Sequence, residues 1–174
     1  SKIVYASDQG GGVRDLWIQS LENGDPAGQL ERLTEDSVRS SCPVFSPDGR
    51  WIAYYRIVGD QRDIYTISVS GGRSVQFTDD PASDTQPAWS PDGSMLAFAS
   101  ERGGGSRIWI APIKEGRPAG APRAVTDGAT IAVAPAWSPD GARIAFVGFL
   151  EDRFEAWIVS ADGRASARPV TSGA

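Results

Sequence analysis

Short apolar runs bounded by Gly, Pro and Asp recur along the chain. The run Leu96-Ala97-Phe98-Ala99 is apolar at every position, and Trp51 to Tyr55 and Arg143 to Val147 stand at the same place in their own units. A second run with an aromatic at its centre follows each: Ile64-Tyr65, Ile108-Trp109 and Ala156-Trp157. Each unit closes on a threonine, Thr78, Thr126 or Thr171. Runs this short, with period-two alternation and turn residues at both ends, predict strands and not helices. The first run of each unit is apolar on both faces, so something must cover it on both sides. Stacked, radially arranged sheets supply that cover.

The phrase between the runs repeats almost letter for letter. Pro43 to Gly49 reads Pro-Val-Phe-Ser-Pro-Asp-Gly, and Pro87 to Gly93 and Pro135 to Gly141 both read Pro-Ala-Trp-Ser-Pro-Asp-Gly. The distance from the closing Thr to the residue after the next Gly is constant, 16 positions for Thr34 to Arg50, Thr78 to Ser94 and Thr126 to Ala142. The chain opens inside the same unit, because Ser1 to Ser7 matches Ser94 to Ser100, Asp15 to Ile18 is the second run, and Arg32-Leu33-Thr34 is the close. Four repeats result, roughly 1–34, 42–78, 86–126 and 134–171. Each reads as four short strands, A to D. Pro presets φ, Asp bonds its local backbone and Gly accepts positive φ, so Ser-Pro-Asp-Gly is a tight A-to-B turn. Asp48, Asp92 and Asp140 are therefore turn formers, not catalytic carboxylates.

Repeats of this length with this strand pattern predict an all-β fold, a β-propeller of four-stranded antiparallel blades. The first blade lacks its strand A. By the constant offset, the strand after Thr171 would begin near position 187. Either the chain is part of a longer propeller, or two chains pair as a homodimer that completes one larger ring. The motif Pro-x-Trp-Ser-Pro-Asp-Gly-x-x-Ile-Ala-Phe, followed by Ile-Trp and by Val-Thr, resembles the repeats of TolB-type β-propellers. The resemblance runs over essentially the whole chain. It implies a non-catalytic module that binds a protein or peptide through its rim loops, in the periplasm or elsewhere outside the cytoplasm. Similar blades occur in sensor ectodomains and in the propellers of prolyl-oligopeptidase-like and tricorn-like peptidases. The resemblance therefore leaves two alternatives open: a peptidase propeller with catalysis on another domain, and a small-ligand or ion sensor.

Composition narrows the chemistry. The chain has no histidine, which removes Ser-His-Asp and Cys-His catalysis and the commonest metal ligand from within it. Its net charge of -5, with no run of Lys or Arg, argues against a nucleic-acid partner. No apolar stretch is long enough to enter a bilayer. The single cysteine, Cys42, permits no intrachain disulfide and reads as a plain, partly buried thiol. No catalytic residue, cofactor site or metal site is expected.

Two features stand apart from the repeat. Alternating strands put the B–C and D–A loops on one rim, which is rich in acids: Glu35, Asp36, Asp79, Asp80, Asp84, Asp127, Glu151 and Asp152. Asp79, Asp80 and Asp84 are the group from which a Ca²⁺ site would be drawn, though their spacing is not that of an EF-hand loop. Solvated turn carboxylates, or an acidic docking face for a basic partner, are the other readings. The B–C loop of the last unit, Phe149-Leu150-Glu151-Asp152-Arg153-Phe154, sets apolar residues among charges, as a partner anchor would. Packing of Phe149 and Phe154 on a neighbouring blade explains it equally. The aromatic columns Trp17, Tyr65, Trp109, Trp157 and Phe45, Trp89, Trp137 read as inter-blade core, whereas Trp51 stands outside both columns. Gly10-Gly11-Gly12 and Gly103-Gly104-Gly105 precede strands and lack the Gly-Lys-Ser/Thr ending of a phosphate loop, so they read as flexible B–C turns.

Overall fold

A computed structural model describes residues 1–9, 11–35, 38–128, 131–150 and 152–170, and of residue 150 the backbone alone. Gly10, Asp36, Glu151 and Thr171 lie outside the described residues. Strands β1 (Lys2–Ser7), β2 (Asp15–Glu22) and β3 (Asp25–Arg32) form sheet 1. Sheet 2 is β4 (Arg39–Phe45), β5 (Trp51–Val58), β6 (Gln61–Ser68) and β7 (Val75–Gln76). Sheet 3 is β8 (Asp84–Trp89), β9 (Met95–Ser100) and β10 (Arg107–Lys114), with the short strands β11 (Arg117–Pro118) and β12 (Arg123–Ala124) both paired to β10. Sheet 4 is β13 (Ile131–Trp137), β14 (Arg143–Leu150), β15 (Arg153–Ser160) and β16 (Arg168–Pro169). Every pairing is antiparallel. Sheet 1 has three strands, as expected of a unit without strand A.

The apolar core lies between successive sheets. Leu16, Ile18 and Leu33 of sheet 1 meet Ile52, Tyr54 and Ile67 of sheet 2. Ala53, Ile64 and Phe77 of sheet 2 meet Leu96, Phe98, Ala111 and Ile113 of sheet 3. Ala97, Ala99, Ile108, Ile110 and Val125 of sheet 3 meet Ala132, Ile144, Phe146 and Val159 of sheet 4. The doubly apolar run now has its reason. Leu96 and Phe98 face one seam and Ala97 and Ala99 the other, because adjacent residues of a strand point to opposite faces. The small residues of one sheet thus receive the large ones of the next. Burying Phe98 alone, fully enclosed, contributes about 1.5–3 kcal/mol.

Polar groups that recur with the repeat hold its corners. The Ser46 hydroxyl donates to Asp48 Oδ1 (2.6 Å) and accepts from Trp51 N (2.9 Å), and Arg50 N donates to the same carboxylate oxygen (3.1 Å). Ser90 with Asp92, and Ser138 with Asp140, repeat this arrangement. Gly49, Gly93 and Gly141 close these turns at φ of 69, 72 and 70°, a conformation costly for any residue with a Cβ. Ser160-Ala161-Asp162-Gly163 builds the same device in the turn after β15. The closing threonines also act as acceptors. Thr34, Thr78 and Thr126 take the amides of Leu16, Ile64 and Ile108 at 2.9, 2.9 and 3.0 Å, satisfying buried donors at the start of each second run.

Strand A is interrupted in every sheet that has one. Cys42, Gln86 and Ala134 stand at φ of 51, 55 and 51°, each immediately before Pro43, Pro87 or Pro135, and pairing with strand B shifts register there. These are β-bulges, where an extra residue re-aims the strand. The bulge turns Cys42 outward. Its thiol is exposed, in contrast to the partly buried position expected of it.

Candidate functional site

The acidic rim divides in the folded chain. Glu35, Asp79, Asp127 and Asp152 are exposed. Asp84 is a correction to the sequence reading: it is the first residue of β8 and fully buried, not a solvated loop carboxylate. Its partner is Arg102, whose Nη2 reaches Asp84 Oδ2 at 2.6 Å and whose Nε lies 3.2 Å from Asp80 Oδ2. The guanidinium also lies over the rings of Trp109 (5.2 Å) and Phe98 (5.6 Å). Burial pushes the Asp84 carboxyl up, against the opposing pull of Ser100 and Arg102. Two of the three carboxylates considered for Ca²⁺ are thus occupied by an arginine, and their arrangement serves the seam between sheets 2 and 3. Arg102 was missed because it follows the strand beside Gly103, in a stretch that reads as a plain flexible turn.

The aromatic columns are packing elements. Tyr65, Trp109 and Trp157, and likewise Phe45, Trp89 and Trp137, lie half-buried against the three inter-sheet clusters. Trp17 lies half-buried on sheet 1, with Arg32 over its ring at 5.8 Å. Trp51, outside both columns, meets Gly116 of the neighbouring sheet. A Cβ added to Gly116 would lie 2.4–2.7 Å from its ring carbons.

The rim of B–C loops is uneven. In sheets 1 and 3 the B strand ends at Ser7 or Ser100 and a glycine-rich turn follows. In sheets 2 and 4 the B and C strands run on as hairpins, with Val58 paired to Gln61 and residue 150 to Arg153. These longer hairpins carry apolar side chains into solvent: Val58 is 59% exposed and Phe154 is 73% exposed. Phe149 and Phe154 face each other across β14 and β15 with ring centroids 4.7 Å apart. The pair therefore packs internally, while most of Phe154 stays open. Asp152 and Arg153 beside it are exposed. The tip thus presents one largely open aromatic ring between exposed charged side chains.

A concavity of about 800 Å³ lies in the seam between sheets 1 and 2. Arg32, Glu35, Arg56, Tyr65, Arg73 and Ser74 line it. Arg56 stacks over Tyr65 at 4.8 Å, and Arg32 is ion-paired to the buried Asp15. A repeat signal for Arg56 was present in the sequence. Its column, fixed by pairing with the residue two before the strand C aromatic, is otherwise Ser7, Ser100 and Gly148.

The family model described as TolB beta propeller domain matches residues 1–123. Among solved structures, TolB from Acinetobacter baumannii superposes with a TM-score of 0.79 at 24% identity, over 98% of this chain and 40% of that one. A puromycin-hydrolyzing peptidase of Mycobacterium tuberculosis superposes with a TM-score of 0.72 at 21% identity, over 99% of this chain and 29% of that one. A curated relative, tricorn protease homolog 2 of Streptomyces coelicolor, is 41% identical over 58 residues, which are 33% of this chain and 5% of that protein. The chain thus spans well under two thirds of these relatives. At these identities the solved structures speak for the fold.

Proposed function

The chain belongs to the TolB β-propeller family, and from that premise we propose that it is a non-catalytic module that binds a protein or peptide through its B–C rim, outside the cytoplasm. The observation that carries the reading is the exposed aromatic pair of the β14–β15 hairpin, with Phe154 73% open. An aromatic held in this way adds large contact area on binding and has little freedom left to lose. The repeated Asp and Trp residues are committed to turns and seams, which leaves the loops as the variable, accessible part. The absence of histidine from the chain fits a binding role.

The test uses a peptide selected from a random display library against the whole chain. Phe154→Ser should weaken its binding about tenfold, a hot-spot loss near 1.4 kcal/mol. The melting temperature should fall by no more than about 2–4 °C, because the variant gives up only one exposed ring contact. Unchanged binding together with a larger loss of stability would defeat the anchor and leave Phe154 a packing residue.

One observation favours a second reading, the 41% local identity to a tricorn-type protein. In that reading the chain is the propeller of a peptidase whose catalytic residues lie on another domain. A Gly-x-Ser-x-Gly segment in the same gene, followed by acid and histidine partners, would support it over the first.

A further inference from the structure

The structure assigns a covalent modification site to Asn23: with water it converts to aspartate and isoaspartate through a succinimide, at a turn the fold leaves open, while the Asp-Gly steps of the repeat are shielded from the same chemistry. Asn23 is the one asparagine of the chain, and Gly24 follows it. The two make the turn between β2 and β3, at φ of 52 and 92°, with Glu22 paired to Asp25 on either side. A two-residue hairpin turn asks for positive φ at both central residues, and Asn-Gly supplies it. The same pair supplies the reacting atoms. The Gly24 amide nitrogen gives its proton to hydroxide and attacks Asn23 Cγ. The new N–C bond closes the succinimide ring, and the side-chain nitrogen leaves as ammonia. Water then opens the ring at either carbonyl. One opening gives aspartate; the other runs the main chain through the former side chain and gives isoaspartate.

Asp-Gly steps react in the same way, with water as the leaving group. Asp48-Gly49, Asp92-Gly93, Asp140-Gly141 and Asp162-Gly163 all stand in Ser-x-Asp-Gly turns, and each is tied at both reacting groups. The nucleophile is held because the amides of Gly49, Gly93, Gly141 and Gly163 donate to the carbonyls of Ser46, Ser90, Ser138 and Ser160 at 2.9, 2.9, 2.9 and 3.0 Å. The electrophile is held because the serine hydroxyls donate to the carboxylates at 2.6, 2.6, 2.5 and 2.7 Å. These hydrogen bonds keep the four carboxyls ionised, and an ionised carboxylate has no leaving group. Among the described residues, no such bond holds the Asn23 side chain or the Gly24 amide. Both residues are exposed, and no atom lies within 4 Å of where a Cβ on Gly24 would stand. Ring closure needs the turn to open, and little resists that. β3 is an edge strand, exposed at all but Ala27 and Arg32, and its pairing with β2 shifts register between Ile18 and Ser20. Glu22 and Asp25, of like charge, face each other at the turn. A segment with so few buried contacts opens at low free energy. The isoaspartyl product adds a methylene to the main chain of this turn and a carboxylate between Glu22 and Asp25. Its free α-carboxylate is the group that an S-adenosylmethionine-dependent isoaspartyl methyltransferase esterifies.

The test incubates the full chain at mildly alkaline pH, native and in guanidinium chloride. Mass spectrometry follows the tryptic peptide Asp15–Arg32 and the peptides of the four Asp-Gly turns, and enzymatic methylation counts isoaspartate. Conversion at Asn23 should run within about threefold of the same rate in both states, while isoaspartate at Asp48, Asp92, Asp140 and Asp162 should form at least about tenfold faster once the chain is unfolded. Ser90→Ala removes one hydrogen bond from Asp92, so it should raise isoaspartate there about fivefold in the native chain and leave Asn23 unchanged. A stronger slowing of Asn23 by folding, a smaller acceleration of the Asp-Gly steps by unfolding, or an Asp92 indifferent to Ser90→Ala would each overturn the assignment. Peptide binding at Phe154 plays no part in these readouts, so this site and the rim anchor fail or succeed separately.

Discussion

Removing the two ends of the Arg102–Asp84 contact, singly and together, probes how the seam between sheets 2 and 3 is held. Asp84 is fully buried, the Arg102 side chain is 11% exposed, and their atoms meet at 2.6 Å. Taking away one member of such a pair leaves the other charge buried, which costs about 3–5 kcal/mol. Asp84→Ala falls at the lower end, about 3 kcal/mol, because Asp80 still lies 3.2 Å from Arg102. Arg102→Ala falls at the upper end, about 4–5 kcal/mol, because it strands Asp84 and also removes a cation from over Trp109 and Phe98. Independent effects would total about 7–8 kcal/mol, whereas the double variant, with no orphan charge, should lose only about 4–5 kcal/mol. Urea unfolding of the four proteins at pH 7 gives the coupling directly. Additive losses, or an Asp84→Ala cost below about 1 kcal/mol, would mean that Asp84 is not a desolvated partner of Arg102.

Three further expectations concern single contacts within and between the sheets. Gly116→Ala should lose about 2–4 kcal/mol in urea unfolding, since the new methyl overlaps the Trp51 ring and φ is +67° there; a loss under about 0.5 kcal/mol would refute that contact. Thr126→Val keeps the shape but removes the acceptor of the buried Ile108 amide, so it should cost about 1–3 kcal/mol and speed exchange of that amide; unchanged exchange would remove the threonine from its role. Hydrogen bonds from Ser46 and from the Arg50 backbone and side chain hold Asp48 at about 2, from an ordinary 3.8. Its folded value lies below its unfolded one, so its contribution is full above pH 3.8 and is lost as the pH falls through about 2. The side chain is 45% exposed, and solvent screening keeps that contribution to about 0.5 kcal/mol. Carboxyl NMR should find the midpoint near 2 and move it upward in Ser46→Ala; a midpoint near 3.8 in the native chain would contradict the turn geometry.

What the sequence disclosed was whatever the repeat repeats. Ser-Pro-Asp-Gly announces its turn because each residue acts on its own neighbours, and the hydrogen bonds from Ser46, Ser90 and Ser138 follow from that local chemistry. The strand pattern of Leu96 to Ala99 was equally legible, since burial on both faces leaves no polar alternation. Asp84 was not. Its spacing from Asp79 and Asp80 suggested one loop, and only the register of β8 against β9 carries it inside toward Arg102, 18 residues away. The exposure of Cys42 was hidden for a similar reason. A left-handed residue ahead of a proline interrupts strand A, and that proline, repeated at 43, 87 and 135, was the available hint of a bulge. The groove between sheets 1 and 2 joins residues from 32 to 76, and its only trace in sequence is Arg56 in a column of small residues.

The claim that binding belongs to the B–C rim while the repeated motifs serve the scaffold is tested most directly by mapping a library-selected peptide on the chain by amide NMR. The largest shifts should fall on Phe149 and on residues 152–154, with the Ser-Pro-Asp-Gly turns at 46–49, 90–93 and 138–141 unmoved. Shifts concentrated on those turns, with the β14–β15 hairpin silent, would contradict it.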